Sequence, residues 1–367
     1  MTSSGGLSRR LRRLVVVACA MLMTACADTS YYLQSVGGHL HMMQAARPVE
    51  QWLADDHVAP TLKQRLALAQ RMRRFAVTEL KLPDNASYQR YADLQRRFVV
   101  WNVVAAPELS LTLKTWCFPV TGCVGYRGYF SEDEARAAAQ PLAAEGLDVR
   151  VYGVPAYSTL GWMNWAGGDP LLNTFIRYPE GELARMIFHE LAHQVLYVKG
   201  DTVFNESFAT AVERLGGERW LSAHGSDAVK KEYAEFDARR RQFRALLLAT
   251  RIRLAAIYKQ NEPPAPDRQA LLAMKNRAMQ EFRDNYVRLK NSWDGYSAYD
   301  AWVAGANNAA FGAQAAYDEL VPAFEALFER EGRDWPRFYD AVRRLADMPA
   351  PERARALKKI PREHISG

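Results

Sequence analysis

The spacing of apolar residues predicts a chain that is mainly helical, with a group of short strands in its first half. From Gly181 onward, apolar positions recur at the three- to four-residue period of helices. Between residues 98 and 165 the pattern changes to short alternating or β-branched runs, which favour strands. We therefore predict an α+β, mostly helical fold, in which a small sheet-bearing N-terminal part packs on a larger helical part.

The predicted strands lie on both sides of one short helix. Residues 98–104, 109–113 and 124–130 precede it, and residues 148–154 follow it. Ser131 is expected to cap this helix, because Glu134 three residues later completes a capping box. Residues 156–162 are expected to continue as an extended edge that could pair with a substrate backbone. An ordinary sheet strand is the alternative interpretation.

The second half of the chain is predicted to be a series of helices. One helix should cover residues 182–199 and end at Gly200, and the next should begin near Asp201 or Thr202 and end near residue 215. A proline-rich joint at 261–266 separates two long helices, so that residues 232–292 form a helical hairpin. Further helices are predicted near 309–331 and 335–346.

The first 25 residues are predicted to be a lipoprotein signal peptide. Four arginines at positions 9–13 precede an apolar run at 14–23 that is too short to span a bilayer. Residues 23–26 resemble a lipobox, so Cys26 is expected to carry a lipid at the new N-terminus. An ordinary signal peptide with an incidental cysteine is the alternative. The remaining chain divides into a helical and sheet-bearing part, 26–180, and the helical part, 181–367.

Charge and composition narrow the classes of partner. The chain has 367 residues and a formal net charge of +7, but four of its arginines lie in the predicted signal peptide. Without them 44 basic and 41 acidic side chains remain, which gives a net charge of +3. The basic balance therefore gives no argument for nucleic-acid binding.

Two cysteines remain after the signal peptide and the predicted lipid site. Cys117 and Cys123 are separated by only five residues. In an oxidising compartment we expect them to form a disulfide that closes a short loop. A zinc site is the alternative, but no partner pair follows at a metal-ligand spacing.

The clearest chemical motif is His189-Glu190-Leu191-Ala192-His193. On a helix, residues four apart share a face, so His189 and His193 can offer imidazole nitrogens to one zinc ion. Glu190 is adjacent and is predicted to act as the general base toward water. The apolar flanks indicate a buried helix, where two histidines and a carboxylate are costly without partners. A hydrogen-bonded structural cluster without metal is the alternative.

The third zinc ligand is expected from the following helix. Glu206 lies shortly after the turn and near the start of that helix, which suits a site at the turn. Glu213, seven residues on, lies on nearly the same face and is either a rival ligand or a partner that orients a histidine. Thr210, one turn after Glu206, is another candidate for orienting the ligands. We expect one zinc ion per chain.

Together, the segments 189–193 and 205–209 resemble the gluzincin peptidases, which use two histidines and a downstream glutamate as ligands. The chain is more closely similar to a family of predicted bacterial aminopeptidases, many of which have lipoprotein signals. Three further segments, 126–130, 156–162 and 307–309, carry this resemblance, which covers about residues 30–345. It implies peptidase chemistry with a peptide substrate. The segment 163–168, which precedes Asp169 and Pro170, looks longer than the joint that is usual in this family.

The substrate contacts are predicted from the extended edge and from a polar, aromatic stretch after the hairpin. A tyrosine of that stretch could donate to an oxyanion, although each tyrosine could equally pack with its hydroxyl at the surface. No residue stands out as the carboxylate that an aminopeptidase needs for the substrate amine. The residues expected to contact substrate are Tyr157, Gly161, Tyr296, Tyr299, Asn307 and Asn308.

These patterns predict a zinc-dependent peptidase, with amino-terminal trimming of peptides as first choice. The alternatives are an endopeptidase for envelope proteins, a non-catalytic zinc-binding envelope lipoprotein, and a metal-free scaffold. The lipid on Cys26 would hold the chain at the periplasmic side of the bacterial envelope. Because Ala27 rather than Asp follows the cysteine, we expect the outer membrane.

Overall fold

The computed structural model describes residues 30–118, 121–156, 158–161, 164–259, 267–314 and 320–360. Helices predominate over these residues, and the strands form two three-stranded sheets and one two-stranded sheet. The predicted α+β, mostly helical fold class is therefore confirmed. None of the helices in these ranges is both long and apolar enough to cross a membrane.

The N-terminal half begins with helices and then forms a small sheet around one central strand. Its helices are α1 (30–45), α2 (Val49–Ala54), α3 (Pro60–Thr78) and α4 (Glu132–Ala144). Its strands are β1 (Arg47–Pro48), β2 (Arg90–Ala92), β3 (Val100–Pro107), β4 (Trp116–Phe118), β5 (Gly122–Val124), β6 (Arg127–Tyr129), β7 (Leu147–Val154) and β8 (Leu171–Leu172).

Strand β3 lies at the centre of the larger sheet. It pairs antiparallel with β6 on one side and with β7 on the other. Helix α4 connects these two outer strands and packs on the sheet with Ala135. The predicted cap of α4 is confirmed, because the Ser131 side chain accepts a hydrogen bond from the backbone N–H of Glu134 at 3.4 Å. Strands β1, β2 and β8 form the other three-stranded sheet.

The predicted strand at 109–113 is wrong. The chain from residue 108 to residue 115 makes no strand, and Lys114 contributes one backbone hydrogen bond to Ala105 at 2.8 Å. The segment connects β3 to β4 instead. Leu109 and Leu111 pack against one apolar cluster and Leu113 packs against another. Apolar alternation therefore reflects contacts on two sides here rather than pairing in a sheet.

The second half of the chain is built from helices. They are α5 (Glu180–Ala192), α6 (Thr202–His224), α7 (Asp227–Lys259), α8 (Arg268–Ser292), α9 (Asp300–Ala304), α10 (Asn308–Gln314), α11 (Val321–Arg330), α12 (Trp335–Ala346) and α13 (Ala350–Lys358). Helices α7 and α8 correspond to the two helices of the predicted hairpin. They pack side by side around Phe243 and Phe282.

The main core surrounds α5 and α6. Phe188 of α5 packs on Phe75 of α3, and Phe208 of α6 packs on Phe324 of α11. All four side chains are buried. Burying one such side chain stabilises the fold by roughly 1.5–3 kcal/mol, so these contacts hold α5 against α3 and α6 against α11. The functional site depends on that arrangement.

Helix α5 is shorter than the sequence predicts. It ends at Ala192, not at Lys199, because the next backbone N–H groups, at Gln194 and Val195, bond three residues back instead of four. Gly200 adopts a φ of 78°, but it does not cap this helix. Its backbone N–H donates to the carbonyl of Thr121 at 3.0 Å, so the glycine turns the α5–α6 loop against the β4–β5 hairpin.

Candidate metal centre

Two histidines lie at the end of α5 and face the start of α6. Leu183, Ile187 and Leu191 anchor α5 in the core, which leaves His189 and His193 on an adjacent face of the helix. Only 6% of His193 is exposed. The helix ends immediately before His193, so both imidazoles lie beside the loop that leads to Glu206 on α6.

The predicted ligands converge on one point. The Nε2 atoms of His189 and His193 are 3.2 Å apart. A carboxylate oxygen of Glu206 lies 3.4 Å from Nε2 of His189, and its other oxygen lies 3.8 Å from Nε2 of His193. All three ligand atoms lie within 4.8 Å of one another. The structure therefore brings together the three residues that the sequence predicts as ligands.

These separations fit a zinc ion. Zinc–nitrogen bonds of 2.0–2.1 Å in a tetrahedral arrangement place two nitrogen ligands about 3.3 Å apart. The distance between the two histidine nitrogens is 3.2 Å, and the donor set of two imidazoles and one carboxylate suits zinc. Without an ion, the Nε2 atoms of His189 and His193 would face each other with at most one proton between them. His189, His193 and Glu206 are the residues that would bind the zinc ion.

Glu213 holds His189 from the opposite side of its ring. The Nδ1 atom of His189 lies 2.9 Å from Glu213 Oε2. Glu213 in turn pairs with Arg185, of which only 3% is exposed. Of the two roles considered for Glu213, this contact matches the partner that orients a histidine. The positive charge of Arg185 also compensates the negative charge of Glu213, because a buried carboxylate without a partner would be costly.

Asn205 fixes the loop that positions Glu206. Its side-chain carbonyl accepts a hydrogen bond from the backbone N–H of Val198 at 2.8 Å, and its amide donates to the Val198 carbonyl at 2.8 Å. Asp201 caps the start of α6 by accepting a hydrogen bond from the N–H of Phe204 at 3.1 Å. Side chains at the start of α6 therefore hold the turn between the histidines and Glu206.

The pKa values in the cluster follow from burial and close charges. Burial lowers the pKa of His193 to about 4. Burial also acts to lower the pKa of His189, but its contacts with Glu206 and Glu213 outweigh it and raise that pKa well above 6.5. Burial acts to raise the pKa of Glu206, yet the two histidines lower it below its usual value. One imidazole is therefore ready to bind a cation, whereas the other must first lose a proton.

Glu190 lines a cavity of about 470 Å³ together with the three predicted ligands. Burial raises the pKa of Glu190 to about 7, against the opposing effect of nearby His189. A carboxylate that titrates near neutral pH can accept a proton at one step and return it at the next. The cavity volume lies within the usual range for sites that enclose a small ligand or part of a peptide.

Sequence reasoning missed the tyrosines that line this cavity. Tyr126 follows β5, and Tyr197 lies in the α5–α6 loop. Burial raises the pKa of both hydroxyl groups, and the Glu206 carboxylate raises both further. Both therefore remain protonated donors near the ligands. Tyr126 was accessible to sequence reasoning, because it lies in the segment 126–130 that carries the family resemblance.

The prediction that four residues after the hairpin contact substrate is not supported by their positions. Tyr296 and Tyr299 pack against the α7–α8 hairpin, where Tyr299 stacks on Phe243 at 4.1 Å between ring centroids. Asn308 donates hydrogen bonds to the carbonyls of Pro107 and Glu108 at the end of β3, and Asn307 donates to Val149 of β7. None of the four is among the described residues that line the cavity. Tyr258 of α7 donates to Asn308 at 2.7 Å, so the two asparagines join the hairpin and α10 to the sheet.

The predicted extended edge at 156–162 makes no strand over its described residues, and it turns at Leu160 and Gly161. Leu160 and Gly161 have φ values of 56° and 80°, which end any strand. The buried Asp169 accepts a hydrogen bond from the backbone N–H of Thr159 at 3.0 Å, and so takes a donor that an edge strand would offer to substrate. Leu160 lines the cavity, whereas Gly161 is not among its lining residues and lies near Asn164 and Gln194.

The structure also locates the remaining predicted residues. Thr210 is buried one turn after Glu206. Cys117 and Cys123 form the predicted disulfide across the β4–β5 hairpin. Phe118 and Thr121 of this hairpin line the cavity. Tyr157 and Cys26 lie outside the described residues, and their predicted roles in substrate binding and lipidation stay predictions.

Fold and site together define an α+β protein with two histidines and a glutamate facing a cavity, a ligand set suited to a hydrolytic metal site. The family model described as "Putative aminopeptidase" matches residues 30–357, and the chain belongs to this family. Membership supports a peptidase that acts on peptides. No curated protein and no solved structure matches the chain.

Proposed function

We propose that the protein is a zinc-dependent peptidase of the gluzincin type, and that it trims peptides from their amino terminus. The observation that carries this proposal is the convergence of His189, His193 and Glu206 beside Glu190 in one cavity. The family of the chain supports the reaction class. Zinc bound there would supply Lewis acidity toward a carbonyl group and lower the pKa of a water ligand.

The chain's own residues divide the remaining work. Glu190 removes a proton from the attacking water and delivers it to the leaving amine. Glu213 holds His189 in one orientation through Nδ1, so that Nε2 faces His193 and Glu206, where zinc would bind. The hydroxyl of Tyr126 is a neutral donor for the developing oxyanion, a role that sequence reasoning assigned to a tyrosine after the hairpin. The walls around them limit access of bulk water.

An endopeptidase is the second candidate, and the composition of the cavity favours it. Among the described residues that line the cavity, Glu190 and Glu206 are the only carboxylates. Both are assigned to the reaction itself, which leaves no separate carboxylate there for a substrate amine. An enzyme that cleaves within a chain needs no such group.

We also propose where the protein works. The signal-like segment and Cys26 support a lipid-anchored protein on the periplasmic side of the bacterial envelope, in the outer membrane. The disulfide between Cys117 and Cys123 suits that oxidising compartment.

Metal analysis combined with a Glu190→Gln variant tests the proposed function. We expect about one zinc per chain in both proteins, and hydrolysis of unblocked peptides to fall by at least about a hundredfold in the variant. Blocking the peptide amino terminus should abolish cleavage by an aminopeptidase and leave an endopeptidase active. Glu218→Gln on α6 is the matched control and should keep full activity. Zinc binding with hydrolysis that is absent or unaffected by Glu190→Gln would contradict the enzyme proposal.

A further inference from the structure

Helix α1 is unusual for a surface helix because it contains no charged residue. Residues 29–46 include no Asp, Glu, Lys or Arg. A helix that packs on a protein with one face normally carries charged side chains on its opposite, solvent-facing side. The outer face of α1 therefore lacks the Asp, Glu, Lys and Arg side chains that normally face water.

The inner face of α1 is fixed to the sheet. Tyr31 packs on Phe118 and Tyr129, with ring centroids 5.6 and 5.5 Å away. The Gln34 side chain accepts a hydrogen bond from the backbone N–H of Phe130 at 3.0 Å. These contacts hold the helix in one orientation, and so determine which residues point outward.

The outer face carries a stripe of exposed apolar side chains. Leu33, Val36 and Leu40 are 69%, 57% and 51% exposed, and the neighbouring Tyr32 is 44% exposed. Positions 33, 36 and 40 lie three and four residues apart and so share one side of the helix. A Cβ atom added at Gly37 would meet nothing within 4 Å, which shows that this side is open. We call Tyr32, Leu33, Val36 and Leu40 the α1 face.

We propose that the α1 face docks on the surface of a lipid bilayer. The proposal extends the proposed anchoring through Cys26. Three residues separate Cys26 from the start of α1, so the helix begins within about 14 Å of the anchor even if the link is fully extended. A helix tethered so closely lies against the membrane, and burial of its exposed apolar side chains is then favourable. Tyrosine at the edge of the stripe suits the headgroup region.

A bilayer fits the α1 face better than a protein partner does. A stable protein interface usually covers about 800 Å² on each side and some twenty residues. The α1 face has four apolar side chains over about two turns of helix. An interfacial helix needs only a narrow apolar stripe, because lipid adapts to its shape.

Docking would also place the catalytic cavity beside the membrane. Tyr31, Tyr32 and Ser35 of α1 line the cavity that contains Glu190. Tyr32 belongs to both surfaces. When the α1 face is docked, the wall of the cavity that α1 forms therefore lies next to the bilayer, and peptide segments near the membrane are expected to reach the cavity first.

Site-specific photocrosslinking in membranes of cells that express the full chain tests this proposal. A photoreactive benzoylphenylalanine replaces Leu33, Val36 or Leu40 in turn. The matched controls carry it at Leu248 or Ile252 of α7, two apolar positions that are 55% and 62% exposed. After irradiation, mass spectrometry identifies what each position has bound. We expect lipid adducts at 33, 36 and 40 at least about tenfold above those at 248 and 252.

Three results would overturn the proposal. They are equal lipid labelling at test and control positions, adducts between two protein chains at the α1 face, and no adduct at any of the three positions. The lipid on Cys26 and the peptidase activity are measured in the same preparations. If the unchanged chain shows no peptidase activity while the variants form lipid adducts, the proposed function alone fails, and normal activity without adducts would count against docking alone.

Discussion

His189 uses each of its two ring nitrogens for a different contact. Nε2 faces His193 and Glu206, whereas Nδ1 lies against Glu213. The contact with a carboxylate fixes the ring orientation and leaves Nε2 available as a ligand. The sequence could predict both histidines, because residues four apart share a helix face whatever the rest of the fold. It left the role of Glu213 open, because that role depends on how α6 lies across α5.

Zinc affinity is expected to rise with pH. Burial acts to lower the pKa of His189, but Glu206 and Glu213 raise it well above 6.5, so this histidine is protonated near neutral pH without a metal. Binding must displace that proton. Below the pKa of His189, the affinity should therefore increase up to about tenfold per pH unit. Competition with a chelator over a pH series measures the affinity.

Proton release provides the control for this prediction. Zinc added to the protein in a weakly buffered solution near neutral pH should release about one proton per site from His189. An affinity that does not change with pH, together with no proton release, would show that His189 is already neutral or does not bind the ion.

At the scale of elements, the end of α5 determines the geometry of the site. Apolar periodicity continues past Ala192 to Val195 and Leu196, so the sequence predicts a longer helix. The helix ends because the following loop finds other hydrogen-bond partners, in Asn205 and in Thr121. Such partners are distant in sequence and cannot be read from local pattern. Helix α8 ends at Ser292, where the sequence predicts the end of the hairpin.

Asn205→Ala is expected to loosen the loop between the ligands. The change leaves the N–H and carbonyl of Val198 without their side-chain partner, and each unsatisfied buried group costs about 1–3 kcal/mol. The free energy of unfolding should fall by about 2–4 kcal/mol. Zinc affinity should fall by about tenfold or more, because Glu206 is the next residue and loses its fixed position.

Urea unfolding and chelator competition measure these two effects. The matched control is Asn291→Ala at the exposed end of α8, where the asparagine side chain is open to solvent. It should change neither quantity by more than the error of measurement. If Asn205→Ala binds zinc as tightly as the unchanged chain, the loop does not position Glu206.

At the scale of the whole molecule, the catalytic cavity draws on parts that are far apart in sequence. Its wall combines α1, the sheet, the β4–β5 hairpin and the α5–α6 pair. The sequence could predict the fold class and the ligand motif, since both follow from local periodicity. It could not show that Tyr126 lies near Glu206, or that Tyr299 packs on Phe243 of the hairpin, because those contacts arise only when the sheet and helices assemble.

The disulfide of the β4–β5 hairpin provides a test of the compartment in which the whole molecule folds. Cytosolic thiol systems keep cysteines reduced, whereas the periplasm allows disulfides to form. We expect Cys117 and Cys123 to be oxidised in cells that express the full chain, and reduced in cells that express a variant without residues 1–25. Labelling with a thiol reagent before and after chemical reduction measures the fraction oxidised.

A further variant, Cys26→Ser, separates export from lipidation. It should still be exported and oxidised at Cys117 and Cys123, but should carry no lipid in the mass of its N-terminal peptide.

The disulfide is also expected to affect stability. The closed loop, with a sequence separation of six residues, is expected to contribute about 2 kcal/mol to the free energy of unfolding. The exported chains should therefore withstand more urea than the variant without residues 1–25. Reduced cysteines in the full chain would contradict the proposed envelope location, because a periplasmic protein with these two thiols so close together would be oxidised.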